Sequence, residues 1–150
     1  MSLVKALGNG SQRSVIAADA VAQAEAAVRS RPGFGGVSAQ LGFETINRLR
    51  PGFLERHVHA MLPDMARAVE PHWEAGRSAG GERAHLVANA HVVTKDLLAV
   101  ADAYVADATD RKAIAVYNQL RPRATRRIAE QMPRIAEFIE RHTPPTGLAG

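Results

Sequence analysis

AVYNQLRP, residues 115–122, carries Asn, Leu, Arg and Pro at the same relative places as TINRLRP, residues 45–51. Allowing a gap of one residue, the agreement continues downstream. Val58, Leu62-Pro63, Met65 and Val69 stand against Ile128, Met132-Pro133, Ile135 and Ile139. Ala66 and Ala136, Glu70 and Glu140, and His72 and His142 also coincide. Aliphatic residues spaced by three and four mark one helical face. A proline inside a helix costs about 3 kcal/mol, so matched prolines point to bends that packing requires. The pattern reads as a degenerate duplication: a helix, a proline corner, then a helix bent or restarted by a second proline. Units of this length are marginal alone, so the copies are expected to share one core.

Working outward, Ser11 or Ser14 can cap a first helix whose stripe is Ala17, Val21, Ala24 and Val28. RSRPGFGG (29–36) ends it, since Pro32 disfavours helix at Arg31 and three glycines follow. Ser38 caps a short helix that stops at Arg50, and Pro51 suits the first turn of the next. Pro63 and Pro71 punctuate that helix, to roughly Ala75. GRSAGGE (76–82) is the clearest loop. The longest periodic helix spans about 83–107, with Leu86, Ala90, Val93, Leu97, Val100 and Tyr104 on one side. Thr109 or Asp110 caps a helix predicted to stop before Pro122. A last segment runs to His142, bent or restarted at Pro133, and the tail 143–150 is expected to be disordered.

Composition agrees. The 150 residues suffice for one domain with a single core. Alanine and arginine are abundant and strand-forming aromatics scarce, which favours an all-α chain. The absence of cysteine excludes disulfides, thiolate metal sites and a cysteine nucleophile. No apolar run approaches the length of a membrane span, and no signal-peptide pattern opens the chain, so a cytoplasmic location is expected. The expected architecture is an all-α, single-domain helical bundle of about 5–7 helices over residues 1–142, with repeat-like halves at about 14–75 and 83–142.

These residues resemble a family of short, uncharacterised, mostly actinobacterial proteins. The resemblance covers most of residues 40–142. It rests on Arg50-Pro51-Gly52, Leu62-Pro63, Glu70-Pro71-x-Trp73, the Leu97–Val100 run leading to Asp102, then Arg111, Tyr117, Leu120-Arg121, Met132-Pro133 and Arg141-His142. It implies an all-helical bacterial protein carrying a domain of unknown function, and it implies nothing about reaction type.

The residues that could carry chemistry are few. His57 and His59, two apart on a helix, point away from each other and cannot share an ion. Glu82 and His85 form one E-x-x-H, whereas di-iron bundles need two copies and two further carboxylates. His91 lies among apolar neighbours, as a haem ligand would, but a hydrogen-bonded structural histidine explains it better. No nucleophile elbow or phosphate-cradling glycine loop is present. No catalytic residue, metal or cofactor is therefore assigned. Asp102 and Asp107 close the long helix, where carboxylates oppose the helix dipole. A buried ion pair with Arg111 or Arg121 at the helix corner is the favoured explanation.

Between Arg111 and Arg127 there are six basic residues and no acidic one. Arg121, Arg123, Arg126 and Arg127 are expected around the N-terminus of the last helix. There, like charge meets like dipole, so either internal partners such as Glu130 or a bound anion should compensate. A nucleic-acid surface is disfavoured, because neither a groove-reading motif nor interleaved aromatics accompany the arginines. Trp73, the sole tryptophan, is either an interface anchor or, more in keeping with a small helical protein, a core filler.

The leading functional expectation is a non-enzymatic interaction or scaffold protein, as a homodimer or with another protein, using the Arg121–Arg127 region. The alternative is an anion- or nucleotide-binding protein, enzymatic or not, with Arg111, Arg121 and Asp102 lining a pocket between the halves. A weaker third reading is a groove between the halves that holds an apolar ligand.

Overall fold

The computed structural model describes residues 3–8, 12–30 and 52–143, and every regular element among them is helical. A π-helical turn, Val4–Gly8, precedes α1 (Arg13–Ser30), α2 (Phe53–Ser78), α3 (Glu82–Ala88), α4 (Ala90–Ala106), α5 (Arg111–Glu130) and α6 (Met132–His142). The helix expected at 38–50, the RSRPGFGG turn, the 45–51 corner and the tail beyond Thr143 lie outside the described residues.

Helix α2 is the axle. It packs against the N-terminal turn, α1, α3 and α4, while α6 closes on α3 and α5 lies along α4. Its buried stripe, Leu62, Ala66, Val69 and Trp73, keeps the 4-3-4 spacing of one helical face. Against that stripe are gathered Leu3, Leu7, Ile16 and Ala17 from the N-terminal elements, Leu86 of α3, Val93 of α4, and Met132, Ala136 and Ile139 of α6. Trp73 is 4% exposed and belongs to this core, so it is not available as an interface anchor.

Pro63 and Pro71 sit inside α2 without breaking it. Proline at position 63 has no amide hydrogen, so the carbonyl four residues back, on His59, loses its helical donor. Arg13 of α1 supplies the replacement: its Nε donates to the His59 carbonyl at 2.8 Å, and Nη2 donates to the same oxygen. A side chain from one helix thus completes the hydrogen bonding of another. On the far side of Pro63 the N-terminal turn comes so close that a Cβ on Gly8 would lie 2.7 Å from the Pro63 Cα. Only glycine fits that approach. Gly76, in the last turn of α2, serves the α2–α3 hairpin similarly, since a Cβ there would meet the Glu82 Cα at 2.6 Å.

The two segments paired in the sequence do not trace the same path, although several of the paired residues share the core. Leu62 and Met132, Ala66 and Ala136, and Val69 and Ile139 are buried in the same cluster, with Val58, Ile128 and Ile135 packed at its edge. The backbone differs. Helix α2 runs unbroken through Pro63, whereas Gln131 interrupts the chain just before Pro133, which opens α6. The corner predicted at Pro122 is absent: this proline lies within α5. Asn118, whose carbonyl Pro122 leaves without its helical donor, and Pro122 itself are both exposed. Water can serve that carbonyl, so the helix need not stop.

Two further boundaries differ from the pattern reading. The loop at 76–82 shrinks to Ala79–Gly81, and the long helix at 83–107 is two helices parted at Asn89. The Asn89 side chain donates to the His85 carbonyl at 2.9 Å, joining its own amide on that oxygen at 3.0 Å. An asparagine capping the carbonyl end of α3 ends it there.

Two stability outcomes follow. Arg13→Ala should cost about 2 kcal/mol in urea denaturation, since it strips a charge-assisted bond from a part-buried carbonyl. The loss should be smaller in a Pro63→Ala background, where residue 63 regains an amide. Equal losses in both backgrounds would separate Arg13 from the proline. The Thr94 hydroxyl of α4, fully buried, has no hydrogen-bond partner among the described residues. Thr94→Val should therefore raise stability by about 1 kcal/mol, and a fall in the melting temperature would contradict this.

Candidate functional site

Several charged side chains tie one helix to another. His72 of α2 donates to Asp96 of α4 at 2.6 Å, and His142 of α6 reaches Asp19 of α1 at 2.6 Å beside Arg141 at 3.1 Å. These two histidines stand at positions paired in the sequence comparison, and each ties its helix to a neighbour's carboxylate. The matched glutamates behave alike: Glu70 accepts from the Leu3 amide at 2.9 Å, and Glu140 takes a two-pronged bond from Arg83 of α3 at 2.9 and 3.0 Å. Hydrogen bonding from His142 holds the Asp19 carboxyl below its usual range, against the opposing effect of burial.

Asp102 and Arg121 do meet, across α4 and α5. Arg121 donates through Nε and Nη2 to the two carboxylate oxygens at 2.9 and 3.0 Å, and the Tyr117 hydroxyl donates to the same carboxylate. The pair is not buried as expected: the side chains are 37% and 46% exposed. Asp102 is held below its ordinary value, first by Arg121 and then by Tyr117. Burial, followed by the bond to Asp102, pushes the Tyr117 hydroxyl up to about 12, so at neutral pH it remains a donor. Arg111 is exposed and takes no part in this clasp.

The arginine cluster is placed differently from its prediction. With Pro122 inside α5, residues Arg121, Arg123, Arg126 and Arg127 lie in the C-terminal half of that helix, not at the N-terminus of the next. Arg127, in the last turn, complements the dipole, and none of the four sits at the positive helix end that gave the reason for invoking a bound anion. Arg126 and Arg127 both reach Glu130, each at 3.1 Å, as the i+4 and i+3 spacings allow.

The histidines do not converge either. His91 is exposed, Glu82 faces Arg77 at 3.5 Å rather than a histidine, and among the described residues no three His, Cys, Asp or Glu groups form a metal-sized cluster.

A groove lies between α2 and the end of α4, with a volume of about 670 Å³. His57, Met61 and Asp64 line it from α2; Ala99, Val100, Ala103 and Tyr104 line it from α4; residues 107–110 close one end. None of Arg111, Arg121 and Asp102 lines it, so the pocket anticipated around those residues is not this one. Its spacing signal was legible: 57, 61 and 64 on α2, and 99, 100, 103 and 104 on α4, are each one helical face. His57 Nδ1 and the Tyr104 hydroxyl share a 2.6 Å hydrogen bond across the groove, their rings edge to face. Burial lowers the His57 pKa, and the nearby Asp110 only partly opposes this, so the imidazole is neutral at pH 7. Asp110 also caps α5, accepting from the amides of Lys112 and Ala113 at 3.0 and 3.2 Å.

The chain belongs to a family of unknown function (DUF6918), whose pattern matches residues 3–143. No curated protein and no solved structure matches it. No described helix is long and apolar enough to cross a membrane.

The Asp102 clasp has a pH signature. Its folded pKa lies below the ordinary 3.8, so its contribution is complete above that value and is lost as pH falls through the lower folded pKa. Because both partners are exposed by more than a third, the contribution should be under about 1 kcal/mol. Asp102→Asn should therefore lower stability slightly at pH 6 and leave it unchanged near pH 2. An equal loss at both values would show that packing, not charge, is at stake.

Proposed function

We propose that this member of the family is a non-enzymatic interaction protein that receives its partner in the groove between α2 and α4. The observation that carries the reading is the groove's construction. Met61, Ala99, Val100, Ala103 and Ala108 give it apolar surface, beside the His57–Tyr104 pair, Thr109 and three aspartates. A concave apolar surface with a few convergent polar groups is the common form of a recognition site. The neighbouring ionic groups support this by their engagement. His72 and Asp96 tie α2 to α4, the helices that form the groove's two walls.

The anion-binding alternative has less behind it. The guanidinium of Arg121 is already engaged by a carboxylate, and the charges on the groove rim are those of Asp64, Asp107 and Asp110.

The test uses a neutral fluorescent probe, N-phenyl-1-naphthylamine, titrated with the full chain. Saturable one-to-one binding is expected, and Ala103→Trp should abolish it, since Ala103 is an exposed residue on the groove wall. Circular dichroism should show the helices unchanged. Binding that survives this substitution, or no binding to the native chain, would refute the groove as the recognition site.

A further inference from the structure

Apart from the groove, we infer that the outward face of α5 docks on the phosphate backbones of duplex DNA. Positive charge is concentrated in this helix. Of the chain's 19 lysines and arginines and 15 acidic residues, α5 holds six and one, so the rest of the chain is net negative by one charge. Only part of this charge is neutralised within the protein. Arg121 is taken by Asp102, and Arg126 and Arg127 divide Glu130 between them. Arg111, Lys112 and Arg123 have no side-chain partner among the described residues, and with the surplus at Glu130 about four positive charges stay uncompensated.

Their placement selects the partner. Arg111, Lys112, Arg123 and Arg126 are all exposed. The helical period sets them within about 120° of one another, on the side turned away from Tyr117 and Arg121, which hold α4. Arg111 and Lys112 stand at one end of the face, and Arg123 and Arg126 at the other, about 17 Å further along the axis. No single small anion can meet both ends, so the ligand is an extended polyanion. The position of Pro122 matters here. Had it ended the helix, these cations would stand on two differently directed segments, whereas inside α5 it leaves them on one face.

Between the two cationic ends the exposed residues are Ala115, Asn118, Gln119 and Pro122. Without a bulky apolar or aromatic side chain, this face can neither insert into a lipid interface nor stack on unpaired bases. The want of aromatics counts against single strands and leaves double strands untouched. Small and amide side chains let a helix sit close in the major groove of B-DNA, roughly 12 Å wide, with cations at both ends over the flanking backbones. The major groove of A-form RNA is too deep and narrow to be entered in this way.

The test titrates the full chain into a fluorescent DNA duplex of mixed sequence and reads anisotropy at several salt concentrations. Binding should weaken with salt at a log–log slope of about −3 to −4, as about four phosphate contacts require. The Lys112→Gln/Arg123→Gln variant should reduce that slope by about two and weaken binding about tenfold or more at low salt. Its circular dichroism should be unchanged, since both side chains are exposed. Arg67→Gln, which removes an exposed charge from α2, should leave affinity and slope as they are. Duplex RNA and single-stranded DNA of the same length should bind more weakly. The inference is overturned if duplex DNA fails to bind at low salt, or if Arg67→Gln reduces the slope as each α5 charge does, which would reduce the effect to net charge. Equal binding of single strands or duplex RNA would also overturn it, as would capture by phosphatidylserine vesicles, in place of the duplex, through Lys112 and Arg123. None of these outcomes bears on the groove, whose probe should bind the α5 variant as it binds the native chain.

Discussion

A missing hydrogen organises much of this fold. Pro63 cannot donate to the His59 carbonyl, and a carbonyl left part-buried without a donor is costly. The chain answers by bringing Arg13 of α1 to that oxygen. It also lays the N-terminal turn over the proline, with Gly8 against its backbone. Both N-terminal elements are thereby registered on the middle of α2. Leu3, Leu7, Ile16 and Ala17 reach Leu62, Ala66, Val69 and Trp73 because of that placement. An all-aliphatic contact would permit neighbouring registers, whereas a guanidinium on one particular carbonyl permits one.

The remaining helices are positioned by the same device in other forms. Aliphatic burial gathers α2, α3, α4 and α6, and single polar ties fix their rotation: Arg83 on Glu140, His72 on Asp96, His142 on Asp19 and Arg121 on Asp102. Most are partly exposed, so each adds little energy. Their value lies in direction, because a hydrogen-bonded pair has one good geometry and a leucine face has several. With α2 and α4 held in this way, the groove beside the His57–Tyr104 pair keeps defined walls.

Residue by residue, the sequence conveyed the interior better than the boundaries. The stripe through Leu62, Ala66, Val69, Met132, Ala136 and Ile139 was readable because burial imposes its period directly on the sequence. The cap at Asp110, one of two offered, was readable because it depends on local chemistry alone. Pro122 misled, since whether a proline ends a helix depends on who serves the carbonyl four residues before it. At His59 that server is an arginine 46 residues away in the chain, and at Asn118 the position faces solvent. Placing Pro122 wrongly then moved the arginine cluster from the favourable end of one helix to the unfavourable end of the next. Asn89 was missed because its capping bond interrupts a run of apolar spacing that continues on both sides. The groove, formed by two helices distant in sequence, left only two short faces as its trace.

Helix α5 stands apart from this scheme. Twenty residues long, it has none buried, and it rests chiefly on α4 through the three-residue clasp at Asp102. A segment with so little interior surface is the one expected to open first while the α2-centred core stays closed. The floor of the groove belongs to α2 and α4, but its end wall, residues 107–110, is the hinge on which α5 hangs. Breathing of α5 would therefore alter the mouth of the groove without disturbing its base.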